Sequence, residues 1–419
     1  MDYDVMKEIL DSIPEFYFGA NLYDSNEISA AEKVLFNKAP FRYYGNNINY
    51  EAKRYEDRCK EFYGVKYAHA VNSGTGALFC AFKALDIKLG DEVIVPGFFW
   101  IAISNAIVSN GGIPVLCEID ETYNMSINDL KRKISNKTKC VVAVHMEGTQ
   151  AEIDSIKEIC DSYNIKLLED FSQCNGGTYK GKKIGSFGDV AISSLQLNKI
   201  VTCGEGGIIL TNDKKIYDRV VLASDLGCCR ENQEFDDVCY GEGRRFNELS
   251  AAIMNVQMCK IDDMICQMRK NKYDIMNYLG DIYPLKYRKV VDKEGDTGYS
   301  IILCFDSADS TNYFWKIYNA KFPKNNIRFY RLSDTGNHIY YNCTNLVNKK
   351  GILGTKLPWC LVDEEQYHYE RGNLRETDRL LECAIAVRIP ADISELQKKV
   401  LASSINYLIR EYKESKEEV

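Results

Sequence analysis

The chain has 419 residues, of which 45% are hydrophobic and 27% charged, with a net charge of −7. That length is too great for one simple core and predicts two domains, and the composition is globular. The negative balance argues against a dominant nucleic-acid surface, and the most apolar window, 95–108, is too short for a bilayer and contains Ser104 and Asn105.

The opening MDYDVMKEIL is acidic and lacks the basic and apolar regions of a signal peptide. Sixteen cysteines in such a chain predict a reduced compartment, and a cytoplasmic protein. No C-x-x-C pair occurs, so the usual zinc or thioredoxin spacing is absent and no metal is expected. Cys228, Cys229 and Cys239 read as small hydrophobes.

Residues 1–50 form an N-terminal segment expected to pack on the following domain or on a partner subunit. From 51 onward the pattern alternates. Helices are predicted over 51–63, 76–85, 100–109, 127–135 and 153–163, with another from 214. Strands are predicted over 67–71, 92–96, 113–119, 140–145, 165–170, 189–195 and 207–211. Apolar strands alternating with amphipathic helices make an α/β domain, 51–275, with a mainly parallel sheet covered on both faces. Ligands of such sheets gather at the carboxyl ends of the strands. A long helix over 247–280 leads into a smaller α+β domain, 276–419. It is read as a strand over 299–305, a helix over 311–320, a strand over 327–330 and a closing helix over 392–412. The tail REYKESKEEV is a solvated helix end.

Polar groups sit at those strand ends. KLLED ends in Asp170, a carboxylate at the edge of a buried sheet that needs a cation or several donors. Gln173 follows three residues later. After the first strand comes NSGTGA, 72–77, a phosphate-cradle design in which Gly74 and Thr75 open a helix whose N–H groups and dipole favour an anion. Ser194 lies five residues before Lys199, and Lys199 precedes the glycine-rich turn CGEGG. Taken singly, Trp100 reads as a core aromatic, Ser194 as a sheet serine and Lys199 as a surface lysine. On one side of one sheet they describe a pyridoxal phosphate site, with Lys199 as the amine that joins the aldehyde, Asp170 on the pyridine nitrogen and Trp100 on the ring face.

NSGTGAL (72–78), LLEDFSQCNGGTYKGKKIGSFGDVAISS (167–194) and NKIVTCGEGGIILTND (198–213) resemble the DegT/DnrJ/EryC1/StrS sugar aminotransferases, a branch of the fold-type I pyridoxal phosphate enzymes. The D-x-x-Q pair, the S-x-x-x-x-K spacing and the T-x-G-E-G-G run carry the resemblance. It implies a mainly parallel mixed-sheet domain and a homodimer with shared sites. Lys199 is implied as the Schiff-base lysine and proton shuttle, Asp170 as the partner of the ring nitrogen and Gln173 as a contact near the ring hydroxyl. Gly74, Thr75 and Ser194 are implied on the phosphate, and Trp100 on the ring. The implied reaction moves an amino group from L-glutamate or L-glutamine to a keto-sugar. FRYYGNN (41–47), VHMEG (144–148) and VTCGEGG (201–207) lean toward the 8-amino-3,8-dideoxy-octulosonate transaminases.

The chain departs from the family's G-x-N-x-R pattern, whose asparagine reaches the neighbouring subunit's phosphate. Gly243 stands in its place, with Arg244 as a substitute ligand and Arg245 matching the arginine. His145, at a strand end, reads as a satisfied core histidine. His338, Arg42 and Tyr43 are expected substrate contacts. Lyases and dehydratases on the same scaffold are the rival enzymes. Sugar dehydratases of the family carry histidine at the lysine position, and Lys199 weighs against them. A cofactor-binding protein without turnover is the rival from another class, and no helix-turn-helix or basic stripe supports it.

Overall fold

A computed structural model describes residues 3–15, 17–228, 230, 239–322 and 329–417. Two helices, α1 (Tyr3–Asp11) and α2 (Ser25–Phe36), precede the alternating region. Met6, Leu10 and Ile13 recur at helical spacing and are buried in the core of the C-terminal domain. α2 starts in a capping box. The Asp24 side chain accepts from Asn26 N at 2.7 Å, and Glu27 Oε2 accepts from Asp24 N at 3.0 Å.

The alternating region then runs α3 (Glu51–Tyr63), β1 (Tyr67–Val71), α4 (Gly74–Ala84), β2 (Glu92–Pro96), α5 (Ala102–Ser109), β3 (Ile113–Cys117), α6 (Ile127–Lys133), β4 (Thr138–Val144), α7 (Ile153–Tyr163) and β5 (Lys166–Asp170). A short hairpin of β6 (Thr178–Tyr179) and β7 (Lys182–Lys183) precedes β8 (Val190–Ser194), β9 (Gly207–Thr211), α8 (Lys214–Ser224) and the long α9 (Glu248–Leu279). The main sheet has the order β1-β9-β8-β5-β4-β2-β3. β9 pairs antiparallel with both β1 and β8, and the pairs from β8 to β3 are parallel. β1 therefore points the same way as β8, and the carboxyl ends of β1, β4, β5 and β8 share one edge with the start of β9. Side chains alternate across the sheet: Val142 and Val144 of β4 join the core under α4, α5 and α8, and Val141 and Ala143 join the core under α3, α7 and α9. α2 lies on α9, where Glu27 takes an ion pair from Lys260 at 2.7 Å and a hydrogen bond from Gln257 at 2.8 Å.

The C-terminal part contains β10 (Lys286–Tyr287), β11 (Ser300–Cys304), α10 (Ala308–Lys321), β12 (Phe329–Arg331), α11 (Thr344–Val347), α12 (Arg375–Glu382), β13 (Ala384–Arg388) and α13 (Glu395–Glu417). Its antiparallel sheet has the order β10-β11-β13-β12. The first residues of the strand expected over 327–330, and Cys229, lie outside the described residues.

Two differences from the sequence expectations have physical causes. The helix expected from residue 100 starts at Ala102, because residues 97–101 are tied to another segment: Phe99 N donates to His338 O at 2.8 Å, Ile101 N to Asn337 O at 3.0 Å and Tyr340 N to Gly97 O at 3.1 Å. The stretch between β12 and α12, expected within the smaller domain, buries Tyr340, Leu346, Trp359 and Tyr369 in the main-sheet core with α4 and α5. Among the described residues no helix is long and apolar enough to cross a membrane, and no cluster of His, Cys, Asp or Glu could hold a metal ion. The described cysteines are free thiols.

Candidate active site

The cradle sequence lies where the sheet topology sends it. The register pairs Val71 with Gly207 and Gly207 with Ser194, which brings the turn after β1 against the end of β8. Two glycines permit that approach. A Cβ on Gly74 would sit 2.5 Å from Ser194 Cβ, and one on Gly207 would sit 2.4 Å from the Ser73 carbonyl oxygen. Ser73 caps α4 by accepting from Gly76 N at 2.9 Å. Gly74, Thr75 and Ser194 all line one cavity of about 390 Å³.

Lys199 and Asp170 line the same cavity. Asp170 closes β5 and is 6% exposed; its Oδ1 accepts from Ser172 N at 3.0 Å. Burial raises its carboxyl above the usual carboxylate range, against the Ser172 hydrogen bonds and the Lys199 charge. Lys199 follows β8 in the turn toward β9. Thr202 secures that turn: its hydroxyl donates to Leu195 O at 2.9 Å and accepts from Gly204 N at 2.9 Å. Burial lowers Lys199 below the usual lysine range; Asp170 opposes this and Arg388 adds to it. A nucleophilic amine needs that shift toward the neutral form.

Gln173, Trp100 and His338 form the side of the cavity nearest the C-terminal part. Gln173 Oε1 accepts from Glu147 N at 3.0 Å, and its Nε2 lies 3.3 Å from His338 Nε2. The Trp100 and His338 rings are 4.8 Å apart, and Trp100 is 44% exposed. Burial, with the Lys199 charge, pushes the His338 imidazole down to about 4.

Sequence reasoning missed Arg388, Tyr299 and Glu205, which also line the cavity, and Glu147 behind them. Glu147 is 2% exposed and adopts a left-handed backbone with φ +54°. Burial works against its charge, but Arg388, the Tyr330 hydroxyl, Arg288 and His338 together hold its carboxyl below the usual range. The available signal for Arg388 was the run AIAVR, an apolar strand ending in a charge, as in KLLED.

Other expected residues lie elsewhere. Arg42 is 8% exposed and is bound to Glu56 at 2.8 Å. With Tyr43, Tyr50, Lys53 and Arg230 it lines a different cavity, so the single chain does not bring Arg42 or Tyr43 to Lys199. Gly243 has φ +65°, and Arg244 pairs with Glu242 while its guanidinium lies 4.4 Å over the Phe79 ring. His145 is fully buried. Its Nδ1 accepts from Ala151 N at 3.1 Å, and its Nε2 lies 3.3 Å from Glu169.

The donor set fits pyridoxal phosphate. The close approach at Gly74 leaves backbone N–H groups and two hydroxyls for a phosphate. Asp170 is a buried carboxylate lining the same cavity as Lys199, and a protonated ring nitrogen would supply a cation to offset its burial.

Comparison with known proteins points the same way. The chain is 38% identical over 240 residues to a GDP-perosamine synthase of Escherichia coli O157:H7, covering 57% of this chain and 64% of that protein. It is 41% identical over 224 residues to a GDP-perosamine synthase of Vibrio cholerae, covering 53% and 59%. The matches thus span about 60% of the length of these curated relatives. The fold matches the crystal structure of 3-amino-5-hydroxybenzoic acid synthase with a TM-score of 0.77 at 20% identity, over 96% of this chain and 99% of that one. Residues 24–322 match the family as a whole, and the chain belongs to the DegT/DnrJ/EryC1/StrS aminotransferase family.

Proposed function

We propose that the chain is a pyridoxal-phosphate-dependent aminotransferase that moves an amino group from L-glutamate or L-glutamine to a keto-sugar. The observation that carries this reading is a single cavity lined by Lys199, Asp170 and the Gly74–Thr75 turn. The bound cofactor supplies an electron sink that makes a proton on the amino-bearing carbon removable. The N–H groups opening α4, with Thr75 and Ser194, would hold its phosphate. Asp170 would keep a proton on the ring nitrogen, Gln173 would contact the ring near its hydroxyl and Trp100 would lie against the ring. Lys199 would anchor the cofactor through its aldehyde, with loss of water, and its freed amine would take up and return the proton at the amino-bearing carbon of donor and acceptor. Leu78, Val144, Met146 and Ile192 give the cavity an apolar lining that limits water.

The named activity of the GDP-perosamine synthase relatives supports a nucleotide-linked keto-sugar as acceptor. The FRYYGNN and VHMEG stretches support an 8-keto-octulosonate instead. The enzyme works in the cytoplasm as a homodimer with shared sites. Arg42 and Tyr43, held apart from Lys199 within one chain, serve substrate only across such a dimer, and Arg244 serves the phosphate there.

Absorbance spectroscopy tests the reading. Purified protein with pyridoxal phosphate should show a visible band that Lys199→Ala lacks. L-glutamate or L-glutamine should bleach it, and the one that does so is the donor. A band that neither amino acid bleaches would remove the aminotransferase reading, and no band at all would remove Lys199 as the cofactor's anchor.

A further inference from the structure

A second cavity, of about 430 Å³, lies where α4 and α5 meet the stretch 345–359, and it shares no lining residue with the Lys199 cavity. Small-molecule sites commonly have this size. Phe79 of α4, Val108 of α5 and, from the stretch, Leu346, Ile352 and Trp359 form its apolar side. Trp359 is 1% exposed, and its Nε1 donates to the Tyr369 hydroxyl at 3.4 Å, which holds the ring in place.

The polar side carries Asn105 and Ser109 of α5, Asn345 of α11 and Lys350. Lys350 is the one cation among the described residues that line the cavity, and no acidic side chain lines it. Among the described residues, none gives the Lys350 ammonium, the two side-chain amides or the Ser109 hydroxyl a hydrogen bond or an ion pair. Lys350 also sits on a fixed turn. Its N donates to Asn345 O at 2.8 Å, and Gly351 N donates to Thr355 O at 3.1 Å. A Cβ on Gly351 would run into the Leu357 carbonyl oxygen, so the turn closes only around a glycine.

These groups sort by the chemistry they suit. The aromatic and aliphatic side takes the flat face of a ring. Each carboxamide offers a donor and an acceptor side by side, the pattern that meets the edge of a nucleobase. An ammonium with no carboxylate beside it takes a phosphate.

We propose that this cavity is a nucleotide site separate from the Lys199 cavity. It takes a nucleoside monophosphate, with the base between the apolar side chains and the two asparagines and the phosphate at Lys350. The occupant ties the stretch 345–359 to α4, which opens at the Gly74 turn, and to α5, which follows Trp100. The inference goes beyond the aminotransferase reading and does not depend on it.

Calorimetric titration of the protein loaded with pyridoxal phosphate tests it, since the loaded cofactor keeps a second phosphate out of the Gly74 turn. AMP, GMP and UMP are the probes, with their nucleosides and inorganic phosphate beside them. At least one monophosphate should bind, and Lys350→Ala should weaken it about tenfold. Lys350→Arg should restore most of that loss, and the matching nucleoside should bind the parent and Lys350→Ala alike. Ser109→Trp, at an exposed position, should abolish binding by filling the space. Both sites of substitution are on the surface, and circular dichroism checks that the variants keep the fold. The proposal is overturned if none of the three monophosphates binds. It is overturned equally if binding survives Lys350→Ala and Ser109→Trp, which would put the nucleotide in the Lys199 cavity. Inorganic phosphate that binds as tightly as the nucleotides would leave an anion site with no place for a base, and would also discard it.

Discussion

The ring of His338 and the carboxamide of Gln173 meet nitrogen to nitrogen at 3.3 Å, and the neighbours of each decide which one donates. His338 Nδ1 lies 3.2 Å from the Thr335 carbonyl oxygen, which can only accept, so Nδ1 carries the proton and Nε2 the lone pair. Gln173 Oε1 is already turned to Glu147 N, which leaves its NH₂ group to donate to His338 and toward the cavity. One tautomer thus orients the amide.

That relay predicts a difference between two substitutions. His338→Gln can place a carbonyl oxygen where Nε2 accepts, and it should bind pyridoxal phosphate nearly as the parent does. His338→Phe leaves the Gln173 NH₂ group without its acceptor and should weaken binding about tenfold. Absorbance titration of the cofactor-free protein measures both. The same histidine gives a pH signature. Its folded pKa of about 4 lies below the ordinary 6.5, so the unfolded chain takes up the proton first as pH falls. Stability contributed by the neutral ring should therefore be full above about 6.5, fall between about 6.5 and about 4, and level off below that. His338→Gln should flatten that stretch of the stability curve relative to the parent. Parallel curves for the two proteins would contradict the assignment.

The close approach at β9 yields a second prediction. A methyl group at Gly207 would meet the Ser73 carbonyl oxygen at 2.4 Å and Gly74 N at 3.0 Å, and neither backbone atom can move without opening the turn before α4. Gly207→Ala should lower stability by about 1–3 kcal/mol and weaken cofactor binding at least tenfold, with the far-ultraviolet circular dichroism retained. Unimpaired binding of inorganic phosphate and of pyridoxal phosphate would mean that the turn does not form the phosphate cradle.

The two halves of the site differ in how legible they are in the chain. Asp170 and Ser194 end strands of the main sheet and Gly74 lies just beyond another, each strand being a short, mostly apolar run. A charge, hydroxyl or glycine at the end of such a run falls at the ligand edge whatever the strand order. Arg388 also ends an apolar strand, but its sheet is antiparallel, and nothing in AIAVR tells that β13 lies between β11 and β12 with its end turned to Lys199. Glu147 was hidden for another reason. Its role depends on a left-handed backbone at a non-glycine residue, and neither period nor propensity reports that conformation. The stretch carrying Tyr340, Trp359 and Tyr369 is built of short helical turns without a regular period, so its packing on α4 and α5 has no signature in the sequence.

Glu147 gives the third prediction. Its carboxyl is held below the ordinary range, so the stability it contributes is present above the unfolded value and is lost as pH falls through its lowered folded pKa. Glu147→Gln leaves the charge of Arg388, 18% exposed, without its carboxylate. At pH 7 this should cost about 3 kcal/mol. The gap between parent and variant should close in acid, once the parent's own carboxyl is protonated. Urea unfolding at pH 7 and at successively lower pH measures it, and a gap that widens in acid would show that the pair does not stabilise the fold.

Asp170 predicts opposite signs for stability and for function. Its raised pKa means that the folded chain without cofactor binds the proton more tightly than the unfolded chain does. Stability is therefore lost as pH rises from the ordinary carboxyl value through the raised one, and at pH 7 the buried charge is a burden. Asp170→Asn removes that charge at nearly constant shape. The cofactor-free variant should melt at a temperature equal to or above the parent's at pH 7, with the difference vanishing in acid. With cofactor bound the sign reverses. An asparagine cannot hold a proton on the ring nitrogen through an ion pair, so the stabilisation that the cofactor confers should shrink. The rate of bleaching by the amino donor should fall about a hundredfold or more, equivalent to at least ~2.7 kcal/mol of barrier. Calorimetric melting with and without cofactor and stopped-flow absorbance read the two effects separately. A purely structural Asp170 would lose stability on substitution in both forms and leave the rate alone. A residue placed for the cofactor gives up stability in its absence, and the asparagine variant should recover it at the expense of the reaction.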